Sequence, residues 1–397
     1  MSAGTSDRAR VVDELQINPR RLAFEDLVYK GGFRLPAERS NDDSIAGGGQ
    51  ALAFNPAKPS LFVSSYSGRV AEVSIPTPAV NGDAKALPVA AFLQGFSDPT
   101  GGRQSQVASW GIIMNSLVVS GGRLYGTAFM YYDPSAPPEQ RVSHYSRSLQ
   151  LNDGSFSGWS QVWENGKAGF VAGLLAAVPT EWQQRLGGSM LSGQCCIPII
   201  SRTSWGPAAF AFDQSAIGNP SVAATALAYY NEAHPTLGTW PNDGKLIFNQ
   251  STEVSGLVIV AGTRTALYFG RIGIGPTCYG PGVNDPKLHG LPVPPSGTFK
   301  YCYDPTSADQ GIHAYPFRYQ VWAYDLNDFA AVKAGAKKPW EVVPYGVWPL
   351  TFPTPEPRTI IGGVSYDAVN QTIYVAQRYA DRDEYESRPV IHTFKIQ

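Results

Sequence analysis

One phrase occurs twice in this chain, once near each end. Residues 49–65 read GQALAFNPAKPSLFVSS and residues 362–377 read GGVSYDAVNQTIYVAQ. Each runs from a small-residue turn through apolar–x–aromatic to Asn or Asp, then a polar turn, then apolar–aromatic–Val. A strand ends at Phe54-Asn55 and at Tyr366-Asp367, and the next begins at Leu61-Phe62-Val63 and at Ile373-Tyr374-Val375. Strand-forming runs separated by turn residues are β-hairpin grammar. A hairpin reused at both ends predicts a repeat architecture closed on itself.

Looser copies lie between. Val118 to Thr127 and Val258 to Phe269 read strand, Gly-containing turn, strand. Ala208 to Asp213 and Gln320 to Leu326 read as third strands that leave on aromatic-Asp; Ser148 to Gly154 is a weaker relative. The hairpin phrases resemble blade openings of the β-propeller superfamily, of the NHL-like and gluconolactonase-like kind. The resemblance rests on blade grammar over about half the chain and carries no family's catalytic residues onto it. It implies an all-β propeller of four-stranded blades. With repeats of ~40–50 residues before insertions, about six blades fill residues 24–397 as a single domain, five and seven staying open. The strand in Phe24–Pro36 is expected to share a blade with the last strand, Pro389–Lys395, joining the two ends. Residues 1–23 form an N-terminal arm. Two short helical excursions are expected. Pro179–Gly188 opens on Pro and stops on Gly-Gly, and Asp328–Ala336 has Asp328 as its N-cap.

Bulk properties exclude several classes. Charged residues make up 16% against an ordinary ~25%, and aromatics 12%, as in a well-packed β protein. A net charge of −1 supplies no field for nucleic acid, and no apolar run is long enough to span a membrane. Met1–Asn18 lacks the apolar core of a leader. Composition leans toward an extracytoplasmic or secreted protein whose leader has been cut, with a cytoplasmic one still open. The four cysteines fit disulfides in an oxidising compartment. Cys278–Cys302 would close a Gly/Pro-rich excursion. Cys195 and Cys196 would form a vicinal bridge or stay as thiols. Zinc-type spacing is missing, and no metal is expected.

No P-loop, G-x-G-x-x-G, G-x-S-x-G or H-E-x-x-H occurs. Candidate ligand-binding residues therefore come from polar–aromatic segments. In CCIPIISRTSWGP, Arg202 offers a donor fork for a carboxylate, phosphate or sugar hydroxyl, with Trp205 beside it. In GIHAYPFRY, His313 and Tyr315 share a face if the segment is extended. His234 lies near Glu232, and Arg264 and Arg271 flank Leu267–Gly270. For each, a purely structural role competes. Carboxylates such as Asp98, Glu164, Asp243 and Glu253 could serve acid–base chemistry, but sequence does not pair them. With no catalytic motif, the expected function is a non-enzymatic binding module. It would hold a glycan, small ligand or protein partner at the tunnel mouth or rim, with no nucleic acid and no membrane span. A hydrolase or lyase acting on a carbohydrate or lactone is the alternative. A particle or filament subunit, self-assembling through residues 1–23, is the third. No cofactor is indicated.

Overall fold

The computed structural model describes residues 19–41, 43–132, 142–163, 170–194, 204–230, 237 and 247–397. Strand β1 (Leu27–Arg34) comes first. Strands β2 (Leu52–Asn55), β3 (Ser60–Ser64), β4 (Val70–Ser74) and β5 (Phe92–Ser97) then form an antiparallel sheet in chain order. A second sheet holds β6 (Ile112–Ser120), β7 (Arg123–Met130), β8 (Val142–Ser148) and β9 (Ser157–Val162). A third holds β10 (Leu174–Ala177), β11 (Met190–Gly193), β12 (Ala209–Phe212) and, beyond a two-residue β13 (Ser221–Val222) that joins β9, β14 (Thr225–Ala228). The fourth begins with β15 (Glu253–Ile259) and β16 (Thr265–Gly273). The chain then leaves for a three-stranded excursion, β17 (Cys278–Val283), β18 (Cys302–Tyr303) and β19 (Gln310–His313). It returns as β20 (Phe317–Asp325) and β21 (Gly346–Leu350) to complete the fourth sheet. The last sheet is β22 (Ile361–Asp367), β23 (Thr372–Arg382) and β24 (Ser387–Ile396), with β1 as its fourth strand. Leu27 pairs with Ile396 and Arg34 with Val390, across a bulge near Gly31.

The architecture is all-β and of the β-propeller kind. The first strands of the sheets touch in turn: β2 packs on β6, β6 on β10, β10 on β15, β15 on β22, and β22 on β2. Two glycines permit that approach. A Cβ at Gly256 would stand 2.2 Å from Val364 Cγ2, and one at Gly363 would stand 2.4 Å from the Leu52 amide nitrogen.

Apolar cores lie between successive sheets. Phe62 and Val70 meet Leu117 and Leu124. Tyr125 and Val162 meet Leu175 and Met190. Leu227 and Tyr230 meet Tyr268 and Trp322. Leu267 and Val321 meet Val364 and Ile373, and Tyr374 and Ile391 meet Phe54 and Leu61. A sheet buried on both faces needs apolar side chains at consecutive positions rather than alternate ones. That is why Leu61-Phe62-Val63 and Ile373-Tyr374-Val375-Ala376 are buried without a break.

Two α-helices lie among the described residues. Helix α1 (Thr180–Leu186) follows Pro179 and ends at Gly187, whose φ of 90° is the left-handed stop that glycine supplies. Helix α2 (Leu326–Lys333) corrects an expected boundary. Its N-cap is Asp325, which ends β20 in extended geometry and accepts from the Asn327 amide at 2.9 Å. Asp328 instead lies in the first turn and pairs with Lys337 at 2.6 Å. Most of the expected arm, residues 1–18, lies outside the described residues. Leu22 is buried, and its carbonyl accepts from the Tyr345 hydroxyl at 2.9 Å. No described helix is long and apolar enough to cross a membrane.

Candidate active site at one end of the sheets

In an up-and-down sheet, the connection between the second and third strands returns beside the start of the first. Among the described residues, Tyr131-Tyr132 after β7, 274–316 after β16 and the short turn 383–386 after β23 belong to connections of that kind. Tyr131, just past β7, donates its amide to the Gly111 carbonyl before β6 at 3.0 Å.

Glu253 is the first residue of β15 and sits opposite Arg271 on β16. Arg271 Nη2 lies 2.5 Å from Glu253 Oε1, and its Nη1 donates to the Arg358 carbonyl at 2.6 Å. The guanidinium also covers the Phe317 ring at 4.2 Å. It thus ties the fourth sheet to the segment leading into β22. Glu356 anchors that segment: its Oε1 accepts from the Arg358 amide at 3.1 Å and from Arg382 Nη2 at 2.8 Å.

Arg378 and Tyr379 lie on β23 at the same end. Arg378 Nη2 donates to the Gly47 carbonyl at 2.6 Å and to the Tyr379 hydroxyl at 2.7 Å. Tyr379 has φ of 64°, a conformation rare for a residue with a side chain. Burial pushes the Arg378 guanidinium below the usual arginine range; Tyr379, Glu253 and Tyr66 oppose the shift and Arg358 adds to it. Those groups therefore share one electrostatic environment. Tyr131 joins it: desolvation of its hydroxyl, then the Glu253 carboxylate, push it up to about 12, with Arg271 pulling down and Asp309 pushing up. Asp309 comes from the excursion and brings a second carboxylate toward Tyr131.

Of the residues singled out in the sequence, Arg271 and Glu253 lie in this cluster. His313 and Tyr315 belong to the adjoining excursion. The buried His313 places Nδ1 2.8 Å from Asp304 Oδ2 and Nε2 3.0 Å from the Asp309 carbonyl. Burial opposes protonation, but the Asp304 carboxylate and the Asp309 carbonyl outweigh it and raise the imidazole above its ordinary range. The Tyr315 ring meets the edges of Tyr303 at 5.5 Å and Phe317 at 6.4 Å. Arg264 sits at the opposite end of β16, its Nε 3.2 Å from Asp325 Oδ2 and its amide donating to the Arg20 carbonyl. Trp205 is buried in the core between the third and fourth sheets. Arg202, His234, Cys195 and Cys196 lie outside the described residues. Among the described residues no three of His, Cys, Asp and Glu gather as a metal site.

Arg358, Arg378, Tyr379, Tyr131 and Asp309 were not legible as site residues. One signal was present. The two copies of the repeated phrase diverge just past their shared Val, into Ser64-Ser65-Tyr66 in one and Ala376-Gln377-Arg378-Tyr379 in the other.

The expected disulfide Cys278–Cys302 is present, a cross-link of the kind that persists in oxidising compartments. It joins β17 to β18 and steadies the segment that carries Asp309. The Cys278→Ser/Cys302→Ser double variant is expected to lose about 3 kcal/mol from closure of this loop. The measurement is limited proteolysis: cleavage between 284 and 301 should precede loss of the rest of the fold. Simultaneous loss would show that the excursion does not open on its own.

No described protein family matches the chain, and no curated protein does. Solved structures with a similar course exist. One, described as showing that the GH130 family of mannoside phosphorylases contains glycoside hydrolases that target β-1,2 mannosidic linkages in Candida mannan, is 11% identical. It has a TM-score of 0.46, over 95% of this chain and 97% of that one. A putative glycoside hydrolase from Parabacteroides distasonis is 10% identical, with a TM-score of 0.43 over 96% and 97%. A GH43 endo-arabinanase from Bacillus licheniformis is 10% identical, with a TM-score of 0.40 over 90% and 96%. At these values no residue role passes from them to this chain. Their descriptions, all of carbohydrate-cleaving enzymes, go against the expected non-enzymatic binding module. The expectation had rested on missing motifs, and side chains brought together from different sheets leave no motif to find. The architecture is of the β-propeller kind, and no specific family is shown.

Proposed function

We propose that this chain is a glycoside-cleaving enzyme built as a five-bladed propeller, its ring completed where β1 pairs with β24 and its active centre at the end that carries Glu253. Five sheets of four or five strands and five intervening cores favour five blades over the six expected from spacing. The observation that carries the functional reading is the Glu253–Arg271 pair. It puts a carboxylate at the start of a first strand, in a shared environment with Tyr131 and Asp309.

Glycoside cleavage needs two carboxyl groups flanking the scissile bond, one to protonate the leaving oxygen and one to act as nucleophile or base. Glu253, ion-paired with Arg271, suits the second role. Asp309, brought toward Tyr131 by the excursion, is the candidate for the first. Tyr66, Trp110, Tyr131 and Tyr132 are exposed at the same end and offer flat faces for sugar rings.

The test is reducing-end release from a panel of plant and microbial oligosaccharides, with Glu253→Gln as the paired control. The expected result is cleavage of at least one member by the native chain and its loss in the variant. No cleavage across the panel, or equal cleavage by both proteins, would overturn the reading.

A further inference from the structure

The guanidiniums at this end exceed what the fold itself uses. Arg271 is matched by Glu253 at 2.5 Å. Arg358 and Arg378 are not matched in that way. Both lie over the ring of Tyr379, at 4.5 and 4.7 Å from its centroid. Arg378 directs its hydrogen bonds to the Gly47 and Gly48 carbonyls and the Tyr379 hydroxyl. The exposed Arg358 side chain makes no hydrogen bond among the described residues, although its backbone is fixed by Glu356 and Arg271. Two cations on one aromatic ring repel each other, and the ring's face offsets only part of that. The tyrosine between them is also held at a positive φ. This is a preorganised arrangement with one donor fork left open. A planar guanidinium fork matches a carboxylate or sulfate through paired N–H···O bonds.

We propose that this end of the sheets takes an anionic sugar, whose carboxylate or sulfate sits on Arg358 beside Arg378 while the neighbouring glycosidic bond faces Glu253. The inference rests on the reading of this end as the cleavage site. It adds the substrate class: acidic glycans rather than neutral ones.

Binding is measured apart from cleavage by titrating the Glu253→Gln protein calorimetrically. The probes are a galacturonate trimer, a galactose trimer, a sulfated galactose trimer and inorganic phosphate. The expected result is at least tenfold tighter binding of the uronate or the sulfated trimer than of the neutral one, with the preference weakening as salt is added. Which acidic trimer wins identifies the group. Arg358→Gln in the same background should abolish the preference, and Arg358→Lys should keep part of it, with near-ultraviolet circular dichroism unchanged in both. Equal affinity for acidic and neutral trimers, a preference that survives Arg358→Gln, no binding of any trimer, or phosphate binding without a preference among trimers would overturn the inference. Cleavage of a neutral glycan that Glu253→Gln abolishes would leave the hydrolase reading standing even then. Cleavage that persists in Glu253→Gln would remove that reading instead.

Discussion

Glu253→Gln is expected to lower turnover of a cleaved glycan by about 10²–10⁴-fold, the usual contribution of a positioned acid, base or nucleophile. The substitution keeps the shape and an oxygen that can accept from Arg271 Nη2, and it removes the charge. Arg271 retains its bond to the Arg358 carbonyl and its place over Phe317. Folding should therefore survive, and the thermal midpoint should move by only a few degrees. KM should change far less than kcat, because the loss falls on the chemical step. Initial rates over a range of substrate concentrations separate the two. A variant that keeps kcat, or that loses activity only by unfolding, would remove Glu253 from the chemistry.

The second large effect is acid destabilisation. His144 and His392 are buried. His144 Nε2 lies 2.8 Å from Ser192 Oγ, and His392 lies among Tyr29, Thr354 and Gln377, with Nδ1 3.0 Å from the Tyr29 hydroxyl. Burial pushes each imidazole down to about 3. An unfolded histidine titrates near ~6.5. Above that value neither state holds the protons. Between about 6.5 and 3 the unfolded chain binds two that the folded chain refuses, so stability falls as pH falls. At about 1.4 kcal/mol per unit for each group, the two remove about 5 kcal/mol by pH 4.5, a large share of an ordinary folding free energy. His313 works the other way. Its raised value adds stability that is full below about 6.5 and is lost as pH rises through its folded value, so it offsets part of the loss. Asp43 and Asp304, both lowered, add to the loss only below the ordinary aspartate range. Urea midpoints from pH 7.5 to 4.5 measure the slope, and His144→Gln and His392→Gln should each flatten it. A flat profile in the native chain would show that these imidazoles take up protons while folded.

Much of the fold was legible because its determinants are local. Asn55 and Asp367 each close a hairpin through contacts a few residues away. Asn55 Oδ1 accepts from the Ala57 amide, and Asp367 Oδ1 from the amides of Val369 and Asn370. Such turns repeat wherever the same residues do. The grouping of strands into sheets was not legible, because spacing counts residues and cannot tell a strand from an insertion. Residues 274–316 occupy the length of a blade yet leave between β16 and β20 and return to the same sheet. The start of α2 was missed by three residues, since Asp325 and Asp328 are equally good caps until the end of β20 selects the first.

The candidate site divides along the same line. Arg271 could be singled out from its own segment, and Glu253 could be noticed as a carboxylate, because residue type and neighbours are written in the chain. That Glu253 faces Arg271 needs the register of β15 on β16. That Arg358 and Arg378 meet at Tyr379 needs the turn of the last sheet back on itself. Strand content, hairpins and the meeting of the two chain ends were set by side-chain pattern; the Cys278–Cys302 pairing, one of three the sequence allowed, was decided by the excursion that brings the two strands together. The number of sheets, and the identity of the charged groups at their common end, were decided by tertiary packing. Groups distant in sequence acquire a shared electrostatic environment only when the sheets around them are assembled.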